Sequence, residues 1–296
     1  MSHVLTLVAA EGETLSRSSV ELAEEVLLAI GASIGDAELL GPDAVEVMFE
    51  ASMPELVEGR IRRALDGRRI DVLAGPVAGR RKKLLLADMD STMIQIESLD
   101  ELADALGIGK QVREITERSM RGELDFAGSL RTRVALLEGQ PEDCLDLVLH
   151  KVAYTPGAET AVRTMVANGA HAALVSGGFT FTTDVVHRKL GFHEHHANQL
   201  LIDNGFLTGT VSEPILGPEA KLENLNRLLA EKGLDATEAC CIGDGANDLQ
   251  MIEAAGLGVA YRGKPIVRER ARFQINRGDM TALLYFQGYH DYEFVS

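Results

Sequence analysis

Three short, wholly apolar runs, each stopping abruptly at a polar residue, constrain this chain more than anything else in it. Residues 84–87 stop at Asp88, 172–175 at Ser176 and 239–243 at Asp244. An apolar run this short, with no alternation, reads as a strand buried on both faces. Segments of helical period lie between the runs, at 158–168, 181–190 and 220–231. Strands alternating with helices predict a doubly wound parallel sheet, and such sheets bind ligands beyond the carboxyl ends of their strands. The three polar ends therefore mark one crevice.

Two stretches break this rhythm. Residues 97–152 carry helical patterns and no convincing strand, which predicts a helical cap inserted above the crevice. Around Asn204-Gly205, residues 200–208 have the turn signal of a β-hairpin. Ahead of the first run, residues 1–79 alternate as strand, helix, two strands, helix and strand, the order of a small α+β ferredoxin-like unit. By pattern alone, that unit could also be an ACT-like amino-acid sensor. The expected organisation is an N-terminal unit at 1–79 and an α/β core at 80–296 interrupted by the cap. Arg80-Arg81-Lys82-Lys83 reads as a solvated boundary between the two. The closing Leu284-Tyr285-Phe286-Gln287-Gly288 resembles part of a protease tag, but the apolar residues before it mark it as native.

Composition sets limits on partners. The 296 residues are 46% hydrophobic and 25% charged, ordinary for a globular protein, with a net charge of −16 and no basic stripe. That charge repels nucleic acid, so no nucleic-acid partner is expected. No apolar run approaches the ~20 residues of a membrane span, and no leader pattern opens the chain, so a cytoplasmic address is expected. Cys144, Cys240 and Cys241 lack metal-ligand spacing and read as reduced, structural residues. His193-Glu194-His195-His196 offers metal-binding groups, but reads as a polar loop before the hairpin rather than as a metal site.

The chemistry concentrates at the strand ends. Asp88-Met89-Asp90-Ser91-Thr92 puts two carboxylates just past a buried strand, where unpaired acids cost several kcal/mol. A hard cation with oxygen ligands would neutralise them, and Mg2+ suits a site that also receives phosphate. One acid can then act as nucleophile and the other as acid and base, although a capped turn would use the same residue types. At the third end, Gly243-Asp244-Gly245-Ala246-Asn247-Asp248 allows a tight turn in which Asp244 completes a metal shell and Asn247 and Asp248 orient neighbours. Val175-Ser176-Gly177-Gly178-Phe179 supplies a hydroxyl and backbone N–H groups at an expected helix N-terminus, an anion site. Lys221, near the start of a helix, reads by itself as an ordinary surface lysine.

Taken in order, these elements resemble the haloacid dehalogenase superfamily of phosphohydrolases. Together with Ser129-Leu130-Arg131-Thr132-Arg133-Val134, they resemble its phosphoserine-hydrolysing branch, from about residue 83 onward. The resemblance implies a Rossmann-like core and a small-molecule substrate, O-phosphoserine, hydrolysed at the last step of serine biosynthesis. It makes Asp88 the nucleophile and Asp90 the acid and base. Mg2+ is then held by Asp88, Asp244 and the carbonyl of Asp90, while Ser176, Gly177 and Lys221 hold the phosphoryl oxygens. Glu97 and Arg133 would receive the substrate's ammonium and carboxylate, and Arg can meet a carboxylate with two parallel bonds. Met120, Phe126 and Asn247 are expected in the pocket lining. Phosphoryl transfer to a second alcohol, hydrolysis of a different small phosphomonoester, and an amino-acid-binding regulatory protein with a decayed site are the alternatives. A homodimer is the one macromolecular association entertained.

Overall fold

The computed structural model describes all 296 residues apart from the side chain of Met120. It begins with β1 (His3–Ala9), α1 (Arg17–Ala29), β2 (Ser33–Gly41), β3 (Ala44–Glu50), α2 (Val57–Ala64) and β4 (Ile70–Pro76). These strands make one antiparallel sheet in the order β2-β3-β1-β4, the ferredoxin-like arrangement. Strand alternation explains its two-sided packing. Leu5, Leu7, Val45, Val47, Val72 and Ala74 face α1 and α2, whereas Val8, Leu40, Ala44 and Leu73 face the core that follows.

The core opens with β5 (Leu84–Ala87). The insert follows: α3 (Ser98–Ala105), α4 (Gly109–Met120), α5 (Phe126–Ala135) and the short α6 (Asp146–Leu149). The chain then runs through α7 (Ala158–Ala167), β6 (His171–Phe179), α8 (Thr180–Leu190) and β7 (Glu194–Asn198), and on to the hairpin of β8 (Leu200–Asp203) and β9 (Phe206–Val211). It closes with α9 (Glu219–Lys232), β10 (Ala239–Gly243), α10 (Leu249–Ala254), β11 (Leu257–Tyr261), α11 (Pro265–Arg270), β12 (Phe273–Ile275) and α12 (Ala282–Tyr285).

Six parallel strands form the main sheet, in the order β12-β11-β10-β5-β6-β7. The fold class is therefore the expected one: a doubly wound, Rossmann-like sheet with a helical insert and a separate α+β sheet. β5 shows why its run is unbroken. Leu84 and Leu86 pack into one buried layer with α9 and α10, and Leu85 and Ala87 into the opposite layer with α7 and α12. Tyr285, Phe286 and Gln287 are buried in or beside that second layer, as native residues should be. The insert has its own core, in which Leu102, Leu130, Val134 and Val148 meet Leu207 and Val211 of the hairpin. At the hairpin turn both Asn204 and Gly205 have positive φ, 49° and 82°, the geometry that matches strand twist.

Four sequence readings need correction. The sheet has six strands rather than three: β12 has only three residues and β7 is polar, while β11 is an apolar run as long as β10 that adds a further buried strand. Residues 193–196 are largely strand, not loop: Glu194, His195 and His196 pair with β6 at the sheet edge, where one open side tolerates polar side chains. Residues 141–152 form a 3-10 turn (Glu142–Leu145) followed by one helical turn rather than a single helix. The basic stretch is only partly solvated: Arg81 and Lys83 are exposed, yet its side chains are all engaged. Arg80 pairs with Glu46 at 2.6 Å, Arg81 with Glu293 at 2.9 Å and Lys83 with Glu238 at 2.7 Å. Lys82 donates to the carbonyls of Gly79 and Thr237. Asp71 of β4 strengthens the same junction, accepting backbone N–H bonds from Asn276, Arg277 and Gly278 at 2.9, 2.9 and 2.7 Å.

Candidate active site

The carboxyl ends of β5, β6 and β10 meet the insert around a cavity of about 490 Å3. Asp88 and Asp244 follow β5 and β10 because side chains beyond the sheet edge leave the packed layers, and β6 carries Ser176 to the same cavity. Asp88 and Asp244 are each 5% exposed, and Asp248 is fully buried. One carboxylate oxygen of each lies within 4.8 Å of the others. Like charges this close oppose ionisation. Burial first, and then Asp248, push the Asp88 carboxyl well above the usual carboxylate range, against the opposing pull of Lys221. Burial likewise raises Asp244, with Lys264 opposing it.

Two lysines supply part of the missing positive charge. Lys221, in the first turn of α9, is buried beneath Asp88, with its Nζ 2.5 Å from Asp88 Oδ1 and also donating to Asp248. Burial pulls Lys221 down, but Asp248 and Asp88 together outweigh it and hold the ammonium above its ordinary pKa. Asp248 is fixed in turn by accepting the Gly245 N–H at 2.9 Å. Gly243 makes room for this: a Cβ there would lie 2.3 Å from the Asp248 carboxyl carbon. Lys264, which follows β11, reaches Asp244 Oδ2 at 3.2 Å and Glu97 at 4.0 Å.

Asp90 faces the same cavity from a different environment. Its Oδ1 accepts from the Ser98 N–H at 3.1 Å and the Ser98 hydroxyl at 2.5 Å, so the start of α3 holds it. Burial, and secondarily the Glu97 charge, raise its carboxyl to about 7 in spite of those bonds. Such a group can donate a proton and later accept one near neutral pH. Gly178 permits the approach, since a Cβ there would come within 2.8 Å of Asp90 Oδ2.

The phosphate-cradle stretch differs in one detail from expectation. β6 continues through Ser176, Gly177 and Gly178 to Phe179, and α8 starts only at Thr180, so Ser176 is not at a helix N-terminus. Pairing with β7 breaks register between Val175 and Phe179, and the Ser176 hydroxyl accepts the Gly178 N–H at 2.9 Å. Ser176 and Gly177 still line the cavity, together with Asp88, Asp90, Glu97, Arg133, Asp244 and Asn247. Lys221 and Asp248 support the floor from below. Phe126 lines the wall, as expected; the side chain of Met120 lies outside the described residues.

The far wall belongs to the insert. Glu97 is exposed and accepts from the Ser91 hydroxyl at 2.8 Å. Arg133 is half-buried, and its side chain donates only to the Ser129 carbonyl, at 3.4 Å. Among the described residues it has no carboxylate partner. Burial lowers its pKa, against the pull of Asp100 and Glu97.

Lys264 and Ser98 were not singled out from sequence, and Thr92 stood in the first motif without a role of its own. Thr92 donates to Asp244 at 3.3 Å. The available signal for Lys264 was the apolar run at 257–261, a fourth buried strand whose polar end points to the same crevice. Oxygen donors dominate the cluster, which can therefore hold a metal ion through carboxylates. The histidines of β7 lie elsewhere. Glu194 accepts from His171 and His196 at 2.8 Å each and from Arg227 at 2.7 Å, while His195 lies near Asp184 and His187.

Comparison with known proteins agrees with this geometry. The haloacid dehalogenase-like hydrolase family matches residues 85–253. The chain is 44% identical to a phosphoserine phosphatase of Haemophilus influenzae over 68% of its own length, and spans 64% of that relative. It is 43% identical to a phosphoserine phosphatase of Streptococcus thermophilus, over 69% of this chain and 94% of that one. The crystal structure of a probable phosphoserine phosphatase from Vibrio cholerae superposes with a TM-score of 0.80 at 30% identity, covering 97% of this chain and 86% of the other, so the likeness includes the N-terminal sheet. No helix is long and apolar enough to cross a membrane. The chain belongs to the haloacid dehalogenase-like hydrolases and, within them, to the phosphoserine phosphatase family.

Proposed function

We propose that this chain hydrolyses O-phosphoserine to serine and phosphate, the last step of serine biosynthesis, with Mg2+ as cofactor. The observation that carries the substrate assignment is Arg133. A half-buried guanidinium facing a cavity without a carboxylate partner calls for an anion there, and the substrate's α-carboxylate fits that need. Glu97, on the same wall, offers an acceptor for the ammonium.

In the first step an Asp88 oxygen attacks phosphorus, the bond to the serine oxygen breaks, and Asp90 delivers its proton to that oxygen. Asp90, now a carboxylate, takes a proton from water as the water attacks the aspartyl phosphate, which frees phosphate and restores Asp88. Its raised pKa of about 7 suits both duties. Ser176, the backbone N–H of Gly177 and Lys221 hold the phosphoryl oxygens, and Lys221 also holds Asp88 for attack, with Asp248 fixing Lys221. Mg2+ would suit the buried carboxylates of Asp88 and Asp244; these two and the carbonyl of Asp90 would hold it, and it would supply charge that stabilises the transferring phosphoryl group. Asn247 borders the substrate, and the insert excludes bulk water from the intermediate.

The same proposal divides the chain into an N-terminal unit at 1–79 and a core at 80–296 carrying the cap at 97–152. It includes a cytoplasmic address and a homodimer, for which the exposed edge strand β2 offers an unpaired hydrogen-bonding row. The test is a panel of phosphoserine, phosphothreonine and a sugar phosphate, with and without chelator, alongside Asp88→Asn. Phosphoserine should be hydrolysed fastest, only with Mg2+, and not by the variant. Turnover that survives chelation, or an active Asp88→Asn protein, would overturn the mechanism.

A further inference from the structure

A second cavity, of about 450 Å3, lies between the N-terminal sheet unit and the outer edge of the main sheet. Arg62, Arg68, Arg262, Arg268 and Arg277 line it. Five guanidiniums around one cleft stand out in a chain with 45 acids, 29 bases and a net charge of −16.

The local charges do not cancel. Arg62 is matched by Glu58 at 2.6 Å and Arg262 by Glu11 at 2.9 Å. Arg68 meets only the hydroxyls of Ser18 and Ser19, at 3.2 and 2.6 Å. Arg268 and Arg277 have no acid within ion-pair distance among the described residues. Asp71, one of two acids in the wall, has its carboxylate bound to three backbone N–H groups. Asp66 and Asp71 offset two of these three cations, so the cleft keeps a net positive charge that the rest of the surface opposes. Guanidinium forks pair with carboxylate and phosphate oxygens through parallel bonds, and several together favour a multivalent anion over a single charge.

We propose that this cleft is a second ligand site, for a small anion carrying two or more phosphate or carboxylate groups. A ligand there would touch both units at once. Arg262 also has a positive φ of 43°, uncommon for a residue other than glycine, and stands two residues before Lys264, the partner of Asp244. Occupancy of the cleft thus has a short covalent route to the catalytic cavity.

The test is titration calorimetry in metal-free buffer, using inorganic tripolyphosphate in one arm and citrate in the other, with Arg133→Ala run alongside to separate anions held in the catalytic cavity. Binding of one equivalent is expected, weakened at least tenfold in Arg268→Ala/Arg277→Ala and again in Arg268→Gln/Arg277→Gln. The charge-matched control Arg17→Ala/Arg163→Ala, outside the cleft, should bind as the unaltered protein does. Binding of tripolyphosphate alone assigns a phosphorylated ligand, citrate alone a polycarboxylate, and both a general oxyanion site. No heat with either anion, or equal weakening in the cleft and control variants, would overturn the proposal.

Discussion

Replacing Lys221 by methionine keeps the side chain's length and removes its charge. In the structure that ammonium is 2% exposed and bridges Asp88 and Asp248, whose side chains are 8% and 0% exposed. Without it, two buried carboxylates face each other uncompensated. Removing one partner of such a buried pair costs about 3–5 kcal/mol. At about 2 cal/mol/K per residue, a chain of 296 residues that melts as one unit loses about 5–8 °C in Tm. The assay is calorimetric melting of unaltered and Lys221→Met protein, first in chelator and then in saturating Mg2+. Much of the loss should return with Mg2+, because a divalent cation held by Asp88 and Asp244 restores the missing positive charge. Lys221→Met/Asp248→Asn should also regain part of it in chelator, since one of the stranded acids is gone. An unchanged Tm in chelator would refute the view that Lys221 neutralises the site, and a loss indifferent to both Mg2+ and the second substitution would point to packing instead.

Arg133→Lys exchanges a fork for a point charge. On a charged hydrogen bond worth about 1.5–3 kcal/mol, kcat/KM for phosphoserine should fall about 10–100-fold, mostly through KM. Hydrolysis of methyl phosphate, which has no carboxylate, should barely change, and an equal loss on both substrates would remove Arg133 from recognition. Lys264→Met frees Asp244 from a half-exposed ion pair worth at most about 1 kcal/mol. Titrated without substrate, Mg2+ should bind a few-fold more tightly, whereas weaker binding would contradict the competition between the lysine and the metal. Glu194 is drawn from its ordinary 4.5 to about 2: burial pushes it up, but hydrogen bonds from His171, His196 and Arg227 outweigh it. Its contribution to stability is full above about pH 4.5 and lost as pH falls toward 2. Glu194→Gln should flatten that limb of the Tm–pH curve, and an unaltered acid limb would show the cluster to be neutral in stability.

Local sequence determined the elements whose residues are buried on both sides, and the acids that follow them. β5 and β10 coincide with their apolar runs because nothing polar is tolerated in either packed layer, and the observed helices 158–167 and 219–232 start and end within a residue of their periodic segments. Asp88, Asp90 and Asp244 were legible for the same reason, as polar residues at points where the sheet ends. β7 was not, since an edge strand with one open side can be built from histidine and glutamate and looks like a loop. Short-range pattern is also blind to pairings between distant residues. Lys221 looked like surface until α9 brought it against Asp88, 133 residues away; Arg80 looked solvated until Glu46 met it. Lys264 and the arginine-lined cleft depend on where β11 and β12 lie beside β10 and β4. Charges of one sign become a site, and charges of opposite sign cancel, according to distances that only the packed chain sets.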